Sequence, residues 1–241
     1  MVRRIRRAIR GISPVLATLI LIVIAIVAGL VVWAWVSGWV GRQIGAGGKR
    51  LDVIHIMFDK ATWSDKQFDD WTVKDNEKVT YDVWSKSGNY YYIKPGTVEI
   101  EVPTTSGSVV IEDDGGGKLV TDGNEVGSID YDGGVFEIDY TKITDEKPGE
   151  KIKVSCELYR IRLFIKNKGS EKLSVRRIWW GYTSDCPSTL NIKDPSLPFT
   201  LSPGSDRWFY AANYYDSGKT CFFKIECTDG STFGPFSEEA P

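Results

Sequence analysis

The chain has little of the material from which most catalytic and metal sites are built. It holds one histidine, His55, two methionines and four cysteines in 241 residues. A zinc site needs Cys or His ligands at close spacing, yet no C-x-x-C pair occurs and His55 is distant in sequence from every cysteine. Asp113, Asp114, Asp122, Asn124, Asp130 and Asp132 crowd one region. They lack the EF-hand spacing and its terminal glutamate, so they read as solvated turns. The run Gly115 to Lys118 lacks the full P-loop frame, which excludes that mode of nucleotide binding. No Asn-x-Ser/Thr sequon is present, so ordinary N-glycosylation is not expected. No catalytic, cofactor or metal constellation emerges, and the sequence reads as a non-enzyme.

Charge is also missing, but only in one place. Residues 11–41 carry no charged side chain. The ten residues before them hold five arginines (Arg3, Arg4, Arg6, Arg7, Arg10) and no acid. Without those five, 25 Lys and Arg stand against 32 Asp and Glu, a net charge of −7. A body this acidic lacks the basic patch that phosphate contacts require, so nucleic acid is not an expected partner.

Within the uncharged stretch, Val15 to Val40 is a nearly unbroken apolar run. Spanning a bilayer takes roughly 20 such residues. In lipid the backbone must satisfy its own hydrogen bonds, which requires a helix. Ser13-Pro14 suits a helix start, since Ser caps open N–H groups and Pro at the first position loses no bond. Trp33, Trp35 and Trp39 gather at the far end, where an aromatic belt meets the interface. The leading arginines place the N-terminus in the cytoplasm and the body outside. An ordinary secretory signal would have a shorter apolar core of about 7–15 residues and a small-residue cleavage site after it. Residues 42–50 are glycine-rich and read as a connector.

From Leu51 onward, short alternating stretches rich in β-branched and aromatic residues are separated by turn signals. The stretches are Leu51 to Phe58, Thr97 to Val102, Ser108 to Glu112, Gly134 to Tyr140 and Lys151 to Lys166. They continue with Lys172 to Tyr182, Phe199 to Leu201, Arg207 to Asn213, Thr220 to Cys227 and Ser231 to Phe236. The expected fold is an N-terminal hydrophobic α-helix followed by a mainly-β, immunoglobulin-like β-sandwich over 51–241. Residues 151–241 form its tidier part, and 51–150 either complete it or form a partly separate β layer. Residues 61–92 carry no clear pattern. Trp179-Trp180 and Tyr214-Tyr215 suit core and rim packing better than sugar stacking.

The stretch RRAIRGISPVLATLILIVIAIVAGLVVWAWVSG, Arg6 to Gly38, resembles the N-terminus of archaeal type IV pilins. That family joins a short basic leader to a small residue and a helix opening like Ser13 to Leu21. Asn167-Lys168-Gly169 and Leu201-Ser202-Pro203-Gly204 also fit the rhythm of its β domains. The resemblance implies a leader, 1–11, removed by a prepilin peptidase between Gly11 and Ile12, with Ala8-Ile9 the second choice. Position five of the mature chain is then Leu16 and not the glutamate of bacterial pilins. It further implies a membrane precursor held in lipid and an assembly ATPase with a membrane platform. The product is an extracellular homo-oligomeric helical filament active in surface adhesion. The alternative is an anchored, non-polymerising surface protein or minor pilin whose ectodomain binds a ligand.

The helix, 12–41, suits such a filament. Ile12 to Val40 is 29 residues, about 44 Å of helix at ~1.5 Å per residue. Ala17, Ala25, Ala28 and Gly29 are its small residues, and Ala25 with Gly29 makes a small-xxx-small pair for close helix approach. Cys156, Cys186, Cys221 and Cys227 all lie in the exterior body, and an even count there suggests two disulfides. Cys221 and Cys227 share a strand, roughly 20 Å apart at ~3.3 Å per residue, which disfavours joining them. A hairpin at Lys168-Gly169 would bring Cys156 towards Cys186. The two considerations conflict, so connectivity stays open.

Overall fold

The computed structural model describes residues 18–32 and 48–241. Residues 18–32 are helical (α1). Every large hydrophobic side chain from Leu19 to Val32 is 47–67 % exposed. Among the described residues no helix is long and apolar enough to cross a membrane. The expected leader, the Gly11–Ile12 junction, Ala17 and most of the connector lie outside the described residues.

The remainder, Lys49–Pro241, is a second compact unit built almost wholly of strands. Its first strand, β1 (Leu51–Lys66), runs antiparallel to β9 (Lys153–Asn167). Between them lie β2 (Lys78–Asp82), α2 (Val83–Ser87), β3 (Tyr92–Ile93), β4 (Glu99–Thr104) and β5 (Gly107–Asp113). These are followed by β6 (Lys118–Thr121), β7 (Asn124–Asp130) and β8 (Val135–Asp139). After β9 come β10 (Leu173–Gly181), β11 (Ser188–Thr189), β12 (Ile192–Asp194), β13 (Phe199–Leu201), β14 (Asp206–Ala211), β15 (Thr220–Cys227) and β16 (Thr232–Glu239).

One sheet of eleven strands has the order β12-β14-β9-β4-β5-β6-β7-β8-β2, with β1 and β3 also on β9. A second sheet of five strands runs β11-β10-β15-β16, with β13 on β10. Each sequence-predicted stretch overlaps a strand. The strands missed are short, lie in 61–92, or flank the Asp-Gly turns. The β6–β7 turn needs φ above zero at both central residues, and Asp122 (+48°) and Gly123 (+76°) supply it.

Alternate residues of a strand face opposite sides, and β9 uses this twice. Val154, Cys156 and Leu158 belong to a first core with Ile100, Ile111, Phe136 and Tyr140. Tyr159, Ile161, Leu163 and Ile165 belong to a second core with Phe209, Val175, Phe223 and Ile225. The inward parity flips from even to odd between residues 158 and 159. The register with β1 runs unshifted from His55 opposite Phe164 to Trp63 opposite Cys156. No bulge accounts for the flip, so the two cores lie on opposite faces of one strand. The first core is wrapped by the long sheet, whereas the second lies between the two sheets. β1 follows β9 across both, with Trp63 in the first core and Ile56 and Phe58 against the second.

Asn167 ends β9 and is fully buried. Its Nδ2 donates to the Glu171 and Leu201 carbonyls at 2.7 and 3.0 Å, and its Oδ1 accepts from the Gly169 N–H at 2.9 Å. Its backbone carbonyl accepts from Gly204 and its N–H donates to Ser205. The N–H groups of Lys168 and Gly169 donate to the Arg50 carbonyl, just before β1. Three segments therefore meet at this corner. Here the structure corrects the hairpin expected at Lys168-Gly169: β9 does not pair with β10, because the chain leaves the large sheet at this corner for the smaller one. Replacing Asn167 with Ala leaves the buried Leu201 carbonyl without this donor and removes two further bonds, to the Glu171 carbonyl and from the Gly169 N–H. We expect a loss of about 2–4 kcal/mol in unfolding free energy, measured by chemical denaturation; a loss below 1 kcal/mol would show the corner is held by its backbone alone.

Candidate functional site: an arginine–aromatic face

Where the first core ends, the face of β9 that carried it continues outward uncovered by a second sheet. Side chains from three strands stand side by side there, as the pairings dictate. His55 (β1) lies opposite Phe164 (β9), which lies opposite Trp208 (β14). The rings pack at centroid distances of 6.2 and 4.9 Å. Met57, Arg162 and Tyr210 form the next row, and Asp59 stands opposite Arg160 in the one after.

Asp59 is the electrostatic centre of this face. It accepts from Arg160 Nε at 2.9 Å and from Arg162 Nη2 at 2.7 Å, with Arg162 Nε 2.6 Å from its second oxygen. Each guanidinium also lies over aromatic rings: Arg160 over Tyr91 (4.7 Å) and Tyr210 (5.6 Å), Arg162 over Trp208 (5.4 Å). Such contacts are worth about 0.5–2 kcal/mol each. Arg160 is 7 % exposed and its Nη1 has no hydrogen-bond partner.

The wall above Arg160 comes from the segment that the sequence left unassigned. Asp82 caps α2 by accepting from the Trp84 and Ser85 N–H groups, and Gly88 closes it in the left-handed region (φ +69°). This turn aims Trp84 so that its indole N–H donates to the Tyr91 carbonyl at 2.7 Å, which holds Tyr91 in place. A side chain at Gly134 would collide with the Trp84 ring.

The opposite face of β9 carries a second cluster. Glu157 accepts from Lys60 and Lys94, both at 3.0 Å, and from the Tyr159 hydroxyl at 2.9 Å. Both ammonium groups lie over the Tyr159 ring, and Lys94 also lies over Tyr214. Hydrogen bonds from Lys94, then Lys60, pull the Glu157 carboxyl down from an ordinary 4.5 to about 2. A depressed acid stabilises fully above its unfolded value and loses that contribution as pH falls through its folded one. Glu157→Gln should therefore flatten the fall of Tm between about pH 4.5 and about pH 2 and shift it little in shape above pH 5. An unchanged acid limb would remove Glu157 from the acid response.

The other sequence candidates lie elsewhere. Ala25, Ala28 and Gly29 are exposed on α1, and a Cβ at Gly29 would meet nothing within 4 Å. Asp113, Asp114 and Asp130 accept from N–H groups of their own turns, and among the described residues no cluster could hold a metal ion. Tyr215 is buried in the second core, with Trp180 and Tyr214 packed against it. The Trp179 indole donates to Glu226. The face itself was missed because its residues are scattered at 55–59, 91, 160–164 and 208–210, and only the register unites them.

The expected disulfides are not present: Cys156, Cys186, Cys221 and Cys227 are free and buried. Cys156 serves the first core, whereas Cys221 and Cys227 share one face of β15 in the second. The corner at Asn167 sends β10 into the other sheet, so nothing folds Cys186 back along Cys156. Burial raises the thiols, Cys156 to about 12 and Cys221 and Cys227 to about 11. A thiol-alkylating reagent should label none of the four in native protein and all four after denaturation without reductant. No labelling in the denatured sample would restore two disulfides.

No protein-family model matches the chain, and no curated protein matches it.

Proposed function

We propose that this chain is the structural subunit of an extracellular filament of the archaeal type IV pilin kind. Its leader, 1–11, is removed between Gly11 and Ile12 by a prepilin peptidase. Its apolar helix, 12–41, rests in lipid and then packs against copies of itself, using Ala17, Ala25, Ala28 and Gly29 for close approach. Assembly is driven by an ATPase and membrane platform. The β unit, in this reading an immunoglobulin-like sandwich with an added β lobe, forms the outer wall and adheres to surfaces.

The observation that carries this reading is the contrast between the two units. The β unit encloses two cores of its own. Residues 18–32 form a helix with no charge and with apolar side chains exposed all round. Covering each such side chain is worth about 1–2 kcal/mol, so the helix demands an apolar environment. Lipid tails and neighbouring apolar helices satisfy that demand about equally. Transfer from one to the other then turns on close packing, and small residues favour it. The resemblance at Arg6 to Gly38 supplies the second support.

Mass spectrometry of material sheared from the cell surface tests the reading. We expect a mature N-terminus at Ile12 in sheared filaments. Full-length protein confined to the membrane fraction would sink the filament and leave an anchored ectodomain.

A further inference from the structure

We propose that a cleft beside α2 binds a neutral sugar, holding one pyranose ring by its apolar C–H face and its neighbouring hydroxyls. The inference deepens the adhesive role above and rests on the β unit facing outward.

The cleft has a volume of about 420 Å³ and is lined by Asp82, Trp84, Ser85, Gly88, Asn89 and Tyr90. Small-molecule sites commonly measure ~300–1,000 Å³. The local sequence explains its shape. Asp82 caps α2, and Gly88 ends it after five residues in the left-handed region. The chain then turns back and sets Tyr90 against Trp84. The two rings meet at 85° with centroids 5.2 Å apart. Rings at right angles make a corner, with a platform for a flat apolar face and a wall beside it.

The corner is held without a ligand. The Trp84 indole donates to the Tyr91 carbonyl, and Gly134 leaves room for its ring. The Ser87 hydroxyl donates to the Asn89 carbonyl at 2.7 Å, which fixes the turn before Tyr90. A site already ordered loses less freedom on binding. It is also within reach of solvent: Trp84 is half-buried and the other five lining residues are exposed.

Charge argues for a neutral ligand. Asp82 is the one charged residue of the lining, and it opposes an anion. A cation would seek the Trp84 ring, but the Lys193 ammonium already lies over it at 4.9 Å. Lys86 is turned to Asp70 and the Phe68 ring.

Hydrogen-bonding valence names the class. Asp82 Oδ1 takes the Trp84 and Ser85 N–H groups. Among the described residues, Asp82 Oδ2, Asn89 Oδ1 and the Tyr90 hydroxyl make no hydrogen bond. Asn89 Nδ2 spends one of its two protons on the Ser87 carbonyl. Ser85 Oγ donates to the Asp82 carbonyl and keeps its lone pairs. Acceptors and donors thus alternate round an aromatic corner. Adjacent sugar hydroxyls both give and accept, so they answer this set. The short turn offers no strand edge for a peptide to extend. Weak single sites gain strength by repetition along a filament.

The test uses the full chain in polyoxyethylene-detergent micelles, which contain no sugar and require no filament. Saturation-transfer NMR is run with the methyl glycosides of glucose, mannose and galactose, and with glucuronate and choline as charged probes. We expect at least one glycoside to bind and neither charged probe to do so. Tyr90→Ala and Asn89→Ala should each weaken binding about tenfold, roughly 1.4 kcal/mol, while Trp208→Ala on the arginine–aromatic face leaves it unchanged. If either variant loses its native Tm, Tyr90→Phe, which removes only a hydroxyl, should still weaken binding about threefold. Binding of none of the three glycosides, binding of choline or glucuronate as tight as theirs, or indifference to these variants overturns the proposal. Failure here leaves the N-terminal mass untouched, and an unprocessed N-terminus leaves this measurement untouched.

Discussion

One strand serves two hydrophobic cores on opposite faces, and most of what is unusual in the β unit follows from it. Along β9 the buried side switches between Leu158 and Tyr159, so residues 158–161 are all buried in succession. Neither core extends past the switch. On each face a stretch of strand is left at the margin of the neighbouring core, half covered. Plain aliphatic residues there would expose apolar surface, and plain charged ones would lose water. Both margins are instead closed by cations lying over aromatic rings: Arg160 and Arg162 with Tyr91, Tyr210 and Trp208 on one face, Lys60 and Lys94 with Tyr159 and Tyr214 on the other. The long aliphatic stems and flat rings exclude water while the charged heads reach its edge. A single carboxylate answers each cation pair, Asp59 across the ladder and Glu157 on the strand itself. The arginine–aromatic face is thus a solution to a packing problem.

The second constraint is the corner. A strand that has committed its far half to one side of a sandwich must deliver the chain to the opposing sheet. Asn167 makes that transfer, since its fully buried side chain offers two donors and an acceptor to the backbone around it. The same residue receives the Pro203-Gly204 turn through its backbone. Lys49 pairs with Asp229 at 2.8 Å and Lys168 with Asp52 at 2.7 Å around this corner. Exposed pairs of this kind add little stability singly. Their common position does fix where the β unit begins, and Arg50 is held by its carbonyl at that point.

Period-two alternation made most strands readable from the sequence, and the turns were readable wherever an Asp-Gly or Pro-Gly pair demanded φ above zero. What stayed hidden was partnership. Lys151 to Lys166 reads as one alternating run, yet its two halves face opposite cores, and alternation by itself does not say which side is inside. The turn at Lys168-Gly169 reads as a hairpin because nothing local distinguishes a return within a sheet from a step to another. That error carried into the cysteine pairing. The segment 61–92 resisted reading because its aromatics serve a three-dimensional purpose without periodicity: Trp63, Phe68 and Trp71 cluster with Tyr81 and Phe136, and Tyr91 covers Arg160. Every residue of the candidate face was visible in the chain, but the register that assembles it was not.

The distribution of charge links these elements to the proposed role. The first ten residues are basic, the next thirty-one uncharged, and the body acidic. An uncharged helix tolerates lipid and a bundle of its own copies alike, so the environment can change without a desolvation cost for ions. An acidic body meets its own copies with repulsion, which is weak across a Debye length of about 8 Å in physiological salt. In the filament reading, attraction therefore belongs to the helix and restraint to the body. A body that stores its stability in two internal cores contributes nothing obligatory to assembly, and its outer faces are at liberty to recognise something else.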